Sequence, residues 1–498
     1  MSLIKTYGLS ELHPLMFALN RPTRPGSVRD SIWRAECFAD EMVNSGTVQS
    51  GQSVMVVGLG PVGMALSLAL LERGIKIVSC NLVSQERDDA FHLCRHRVIC
   101  PTTFDFPKAH WTVREHPFDG STETVLPWEA GLATAVHASL LHRFVEIGAR
   151  YVATGNLVTI EPASVTSWRR AHDLIHVEGE IEDDEADVNE GDRAWTEDVN
   201  AIVFCTGPGP HLKHIDRADT GFQSHGFWSN ADAVLRRRIK LAGKQILVLG
   251  GQDGGLGDFA RLLCKESDPC DLLRHLPLPQ DAVQSLDSLN RTMWVGFSSS
   301  TTSLDHARLV ELQAASIRLV NEMWTGTPNL RKRVDGLLLN DDARPAVQLA
   351  CICFHFGQAY FANRLLCHLL ARALRERGAT ANGGMAPFRA GVRAVAVEGL
   401  GGHRCAGDAG KCSGARHRVQ FQAECCTKGC VPPDYLAQEG QVPAAHVWPL
   451  VTVSTAPIDV DHVLCRFGPS REFPRIPPDV AAAIQARSEV RDVPPFYL

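Results

Sequence analysis

Apolar positions along this chain fall into short unbroken runs that end in glycine. Val54–Gly58 is such a run, with β-branched members, and it reads as a strand buried on both faces. MALSLALLERG then predicts a helix that stops at Gly74, and IKIVSC predicts the next strand. The succession recurs from Lys244 in KQILVLGGQDGGLGDFARLL, again strand, glycine turn and helix. The ends of the two halves also match. EDVNAIVFCTGPGP (Glu197–Pro210) and IDVDHVLCRFGPS (Ile458–Ser470) share a D-V opening, an apolar strand and a Gly-Pro exit. Upstream, GNLVTIEP is echoed by GVRAVAVEG and HDLIHVEG by RHRVQFQA, which predicts a small antiparallel meander in each half.

Between these elements the pattern changes. HLCRHRVICPTTFDFPKAHW carries Arg95, His96, Arg97, Asp105, His110 and Trp111 amid prolines and reads as an ordered loop of the kind that lines sites. LPWEAGLATAVHASLLHRF reads as an amphipathic core helix. The acidic run 178–198 reads as a solvated excursion between meander strands. Residues 303–376 read as helices throughout and suggest a cap that closes a substrate cavity. The expected organisation is α/β. A first doubly wound unit with its meander takes 1–215. A second takes 240–300 and 378–498, with a helical insertion at 301–377.

At 498 residues the chain is too long for one core, and two lobes of roughly 200–250 residues each are expected. With 45% hydrophobic and 21% charged residues it has a globular composition. A net charge of −6 argues against a nucleic-acid partner, which wants clustered Lys and Arg. No apolar run approaches the length of about 18 that spans a bilayer, so no membrane association is expected. MSLIKTYGLSELHPLMFALN lacks a signal-peptide pattern, and the sixteen scattered cysteines are expected to be reduced thiols of a cytoplasmic protein. The oligomeric state is not legible.

The candidate chemistry lies in the glycines. Gly58, Gly60 and Gly63 have G-x-G-x-x-G spacing directly after a strand and at the start of a helix. In that context the first permits the tight turn, the second lets backbone approach a pyrophosphate, and the third lets helix pack on strand. Pro61 and Val62 fill the turn, where a missing N–H is tolerated. The acid that should accept ribose hydroxyls falls at Asn81. Two readings are open: FAD held by a weaker ribose contact, or NADP with its 2′-phosphate on Arg87 beside Ser84. In the second turn Gly250, Gly251, Gly254 and Gly255 crowd together, but Gln252 replaces the second motif glycine and Asp253 adds charge.

The order G-x-G-P-x-G, meander, Thr-Gly strand, second glycine turn resembles the flavoproteins with two dinucleotide-binding domains. These include thioredoxin-reductase-like and flavin-monooxygenase-like enzymes. The resemblance implies FAD on the first unit, through Gly58, Gly60, Gly63, Thr206 and Gly207, with Cys205 in place of an alanine. It implies NAD(P) on the second, through Gly250, Gly251 and Gly255, matched only in part. The late Gly-Asp element has a weak counterpart in CAGDAGK (Cys405–Lys411), and a redox C-x-x-C is absent. Among the Cys and His residues at 403–430, Cys426 and Cys430 fit one zinc-ligand pair, but His403 and Cys405 make only a loose second, and no metal is expected.

The expected function is an FAD-dependent oxidoreductase that moves hydride between flavin and a small substrate, an amine, an amino acid or a nicotinamide. An NADPH-dependent monooxygenase and a non-catalytic FAD or NADP sensor are the alternatives. His355, His110 and Tyr360 are the candidates for proton transfer or substrate orientation.

Overall fold

The computed structural model describes residues 4, 8–10, 13–19, 28–81, 97–99, 126–129, 131–181, 193–207, 242–265, 272–273, 276–295, 306–341, 343–352, 356, 359, 361–400, 416–423, 455–466, 479 and 482. In the first half these form β1 (Gly8–Ser10), β2 (His13–Ala18), α1 (Val28–Asn44), β3 (Ser53–Val57), α2 (Pro61–Glu72), β4 (Lys76–Cys80), β5 (Val98–Ile99) and β6 (Gly131–Leu132). Then come α3 (Ala133–Ala153), β7 (Leu157–Ile160), β8 (Ala163–Ala171), β9 (Leu174–Ile181), β10 (Ala194–Val199) and β11 (Ala201–Phe204). The second half continues with β12 (Gln245–Leu249), α4 (Asp253–Leu263), α5 (Gln280–Val295), α6 (His306–Gly326), α7 (Leu330–Leu337), β13 (Ala346–Cys351) and α8 (Phe361–Glu376). It ends in β14 (Phe388–Ala390), β15 (Val392–Leu400), β16 (Arg416–Ala423), β17 (Ile458–Val460) and β18 (His462–Cys465).

Each half is a three-layer sandwich. The first sheet runs β1-β2-β11-β3-β4-β7, parallel from β2 to β7, and the second runs β14-β13-β12-β18, all parallel. In both, the strand before the glycine turn (β3 or β12) lies inside the sheet. The next two parallel strands are laid down on one side of it and the closing strand on the other. That reversal is the topological switch point of a doubly wound sheet. Antiparallel meanders β10-β9-β8 and β15-β16-β17 complete the halves.

Strand alternation builds the layers. Val54 and Val56 join the helix-side core, while Met55 and Val57 face the meander. Ile246 and Val248 do the same against Leu247 and Leu249 in the second half. Residues of α2 from Gly63 to Leu71 are all buried. A helix apolar on every side needs a cover. Here α1 supplies it, with Ile32, Ala35, Phe38, Ala39 and Met42 fully buried in the same core. By contrast α3 is amphipathic. Val136, Leu140 and Phe144 are buried, whereas Leu141, Val145 and Val152 are exposed.

The repeat extends to single hydrogen bonds. Asn200 links β10 to β11, its N–H donating to Ser53 O (2.8 Å) and its Oδ1 accepting from Ser53 N (3.0 Å). Asp461 links β17 to β18 and makes the same pair with Gln245, both at 2.8 Å.

Three expectations are corrected. GNLVTIEP forms β7, the edge of the parallel sheet, whereas GVRAVAVEG forms β15 of the meander, so that echo joins unlike positions. The acidic run is partly ordered strand, in β9 and β10, and its central residues 182–192 lie outside the described residues. The segment 346–376 is not helix throughout: Ala346–Cys351 is a fully buried strand paired to β12, and only Phe361–Glu376 is helical. A continuous apolar run fits a buried parallel strand as well as a helix, which is why periodicity misreads it.

The helical insertion is α5–α7. Its Val283, Leu286, Ile317, Val320, Met323, Trp324 and Val334 join the core of the second half with α4 and α8, so it thickens the helical layer. Among the described residues no helix is long and apolar enough to cross a membrane.

Candidate functional site

The C-terminal ends of β3, β4, β7 and β11 meet at one edge of the first sheet. The chain turns sharply at Gly58, whose φ of +99° suits glycine. Its N–H donates to Cys80 O (2.8 Å), and a Cβ there would meet Cys205 O at 2.9 Å. Gly63 sits in the first turn of α2, where a Cβ would lie 1.9 Å from Gly58 O. These two glycines are required by the turn and by helix–strand packing.

Gly60 is different. Its φ of −68° and ψ of −179° are open to any residue, and among the described residues nothing stands within 4 Å of a Cβ built on it. Neither conformation nor packing calls for glycine. What glycine does there is keep space clear in front of α2. Gly60 is the N-cap, Pro61 follows it, no side chain among the described residues caps the helix, and no acid occupies its first turn. Uncapped N–H groups and the positive end of the helix dipole therefore face an open cradle that a Cβ would partly fill, the setting that binds phosphate.

Across the switch point, β11 exits through Cys205, Thr206 and Gly207. Gly207 has a φ of +78° and, among the described residues, nothing within 4 Å of a Cβ. Cys205 is buried, and burial pushes its thiol well above the usual range, so it stays protonated and unreactive. Asn81 follows β4. Its N–H donates to Ile160 O (3.1 Å), its Oδ1 accepts from Leu59 N in the glycine turn (3.4 Å), and its Nδ2 donates to Glu161 Oε1 (3.3 Å).

The second turn copies the backbone of the first. Gly250 (φ +126°) donates to Ala350 O at 2.9 Å, and its Cβ would meet Arg466 O at 2.4 Å. A Cβ on Gly255 would lie 1.8 Å from Gly250 O. Gly251 is close-packed too, a Cβ there falling 2.9 Å from Cys351 Cβ. The position of Gly60 is taken by Gln252, as N-cap, and α4 opens on Asp253. Asp253 Oδ1 accepts from Asn363 Nδ2 (2.8 Å), so a carboxylate is fixed at this helix N-terminus. It already complements the helix dipole and repels an incoming phosphate.

Behind that turn lies a buried ion cluster. Asp258 on α4 pairs with Arg466 and, at 3.0 Å, with Arg97 of the first half, while Arg261 stands at 3.6 Å. Burial alone would raise the Asp258 carboxyl, but Arg466 and then Arg97 hold it below its ordinary range.

Of the sequence-predicted residues, Gly58, Gly60, Pro61, Val62, Gly63, Asn81, Thr206 and Gly207 share the C-terminal edge of the first sheet. Gly250, Gly251 and Gly255 hold the matching edge of the second. Arg87, His110, His355, Tyr360 and the CAGDAGK segment lie outside the described residues. Of the Cys and His residues at 403–430, only His417, on β16, is described. Sequence reasoning missed Glu161, whose approach to Asn81 depends on β7 lying beside β4.

No family profile and no curated relative matches this chain. Among solved structures it is similar to the ornithine N-hydroxylase of Kutzneria sp. 744, with 13% identity over 84% of this chain and 80% of that one and a TM-score of 0.35. It is also similar to the ornithine hydroxylase of Pseudomonas aeruginosa (10% identity, 86% and 85% covered, TM-score 0.36). The thioredoxin reductase of T. acidophilum is a third (10% identity, 88% and 97% covered, TM-score 0.33). At these scores the likeness is loose, and the functional reading rests on the chain's own turns and sheets.

Proposed function

We propose that the protein is an FAD-dependent oxidoreductase that holds the dinucleotide at the first glycine turn. The open cradle at Gly60, before an uncapped helix, is the observation that carries this reading. Bound there, the flavin would supply hydride transfer with a small organic substrate. The chain's own part is to bind and to exclude water. Gly58 and Gly63 set the turn, the first N–H groups of α2 donate to the pyrophosphate, and Thr206 and Gly207 border the crevice at the switch point. His110, His355 and Tyr360 are proposed, on sequence alone, to move a proton or orient the substrate.

The second turn bears on the choice among oxidoreductases. Gln252 and the fixed Asp253 carboxylate oppose a second dinucleotide. This favours an oxidase or dehydrogenase for an amine or amino acid over an NADPH-dependent monooxygenase.

The test is an absorption spectrum of the purified protein, with chromatography of the cofactor released by heat. Amines, amino acids, NADH and NADPH are then added anaerobically. Flavin bands, released FAD and bleaching by an amine or amino acid are expected. A colourless protein that takes up no FAD overturns the reading. Bound FAD that no donor reduces makes the protein a sensor.

A further inference from the structure

We propose that Glu161 is the carboxylate that accepts the adenosine ribose hydroxyls at the first turn, taking over the role an acid at position 81 would have. This rests on reading that turn as a dinucleotide site. The strand after the glycine helix, β4, leads into an amide, which binds hydroxyls more weakly than a carboxylate does. The neighbouring strand β7 leads into Glu161, at the same edge of the sheet. Asn81 is fastened to that segment on both sides: its N–H donates to Ile160 O at 3.1 Å, and its carbonyl accepts from Ala163 N at 2.9 Å. Its side chain then bridges the glycine turn and the carboxylate. Oδ1 takes the Leu59 N–H at 3.4 Å and Nδ2 gives a hydrogen bond to Glu161 Oε1 at 3.3 Å. The two partners, a donor and an acceptor, fix which way the amide points.

This arrangement also explains why position 81 is not acidic. An aspartate there would set a second carboxylate against Glu161, and like charges at hydrogen-bond distance oppose each other. Asparagine removes the repulsion and aims the one remaining carboxylate. Glu161 is exposed, and among the described residues its Oε2 has no partner and is left for a ligand at the sheet edge. A carboxylate in this place accepts from a free 2′-hydroxyl and repels a 2′-phosphate. The site therefore selects FAD or NAD over NADP.

The experiment titrates the full chain, stripped of bound nucleotide, with FAD, NAD+ and NADP+. The variants are Glu161→Gln, Asn81→Asp with Glu161→Gln, and Gly60→Gln. Glu161→Gln is expected to weaken the unphosphorylated ligand about tenfold and to narrow its margin over NADP+. The double variant, which moves the carboxylate back to the end of β4, is expected to recover most of that loss. A purely structural role for Glu161 would give no such rescue. If Gly60→Gln abolishes binding while Glu161→Gln changes neither affinity nor selectivity, the assignment of Glu161 is wrong and the site stands. If Gly60→Gln also leaves binding intact, the first turn is not the site and both readings fall.

Discussion

The two glycine turns share a backbone and differ at the positions a ligand would touch. Gly58 and Gly250 make the same hydrogen bond to the neighbouring strand, and Gly63 and Gly255 are equally forbidden a side chain. Gly60 and Gln252 both have extended backbone, but the first has no side chain to put into the cradle and the second has one. The contrast separates what the fold needs from what a nucleotide needs. The first and third glycines hold turn, strand and helix together in both halves. The middle position is free to change once no phosphate has to fit there.

Substitutions can probe this division at several points. The largest effect is expected from Gly60→Gln, which copies the second turn into the first. Cofactor retention should be abolished, while unfolding free energy stays within about 0.5 kcal/mol of wild type stripped of nucleotide, since among the described residues a Cβ there meets nothing. Cofactor content and denaturant titration measure the two sides. Next is Asp258→Asn, which strips the carboxylate from among Arg466, Arg97 and Arg261 and should cost about 3–5 kcal/mol. Gly63→Ala and Gly255→Ala should each cost about 1–3 kcal/mol, and by similar amounts, because both push a Cβ against a backbone carbonyl. Unequal costs would show that the two turns are not equivalent scaffolds.

A further effect, confined to acid, is expected from pH. His368, on α8, is fully buried beside Phe356 and Phe388, and burial, with Arg364 nearby, pushes its pKa down to about 3. The unfolded chain then binds a proton that the folded chain refuses, so stability falls as pH drops from about 6.5 toward about 3. His368→Gln should flatten part of that acid slope in thermal melts, and an unchanged slope would contradict the assignment.

Much of this architecture is legible in the sequence, because strand, glycine turn and helix carry local signals. Spacing alone places Gly58, Gly60 and Gly63, and the D-V openings place the closing strands. Misreadings arise where local signals are degenerate. PAVQLACICF reads equally as buried strand or buried helix, and only the open place beside β12 decides for strand. The echo between GNLVTIEP and GVRAVAVEG misleads because sheet edge and meander use similar strands. Glu161 is invisible for a different reason. It is 80 residues from Asn81, and the strand order that brings the two together is a property of the folded sheet.

The sharpest test is the flavin content of three purified chains: wild type, Gly60→Gln, and Gln252→Ala. If one turn binds and the other does not, wild type should carry about one FAD per chain, Gly60→Gln none and Gln252→Ala an unchanged amount. Flavin kept by Gly60→Gln, or lost only when the second turn is altered, would place the cofactor elsewhere and contradict the assignment of the first turn.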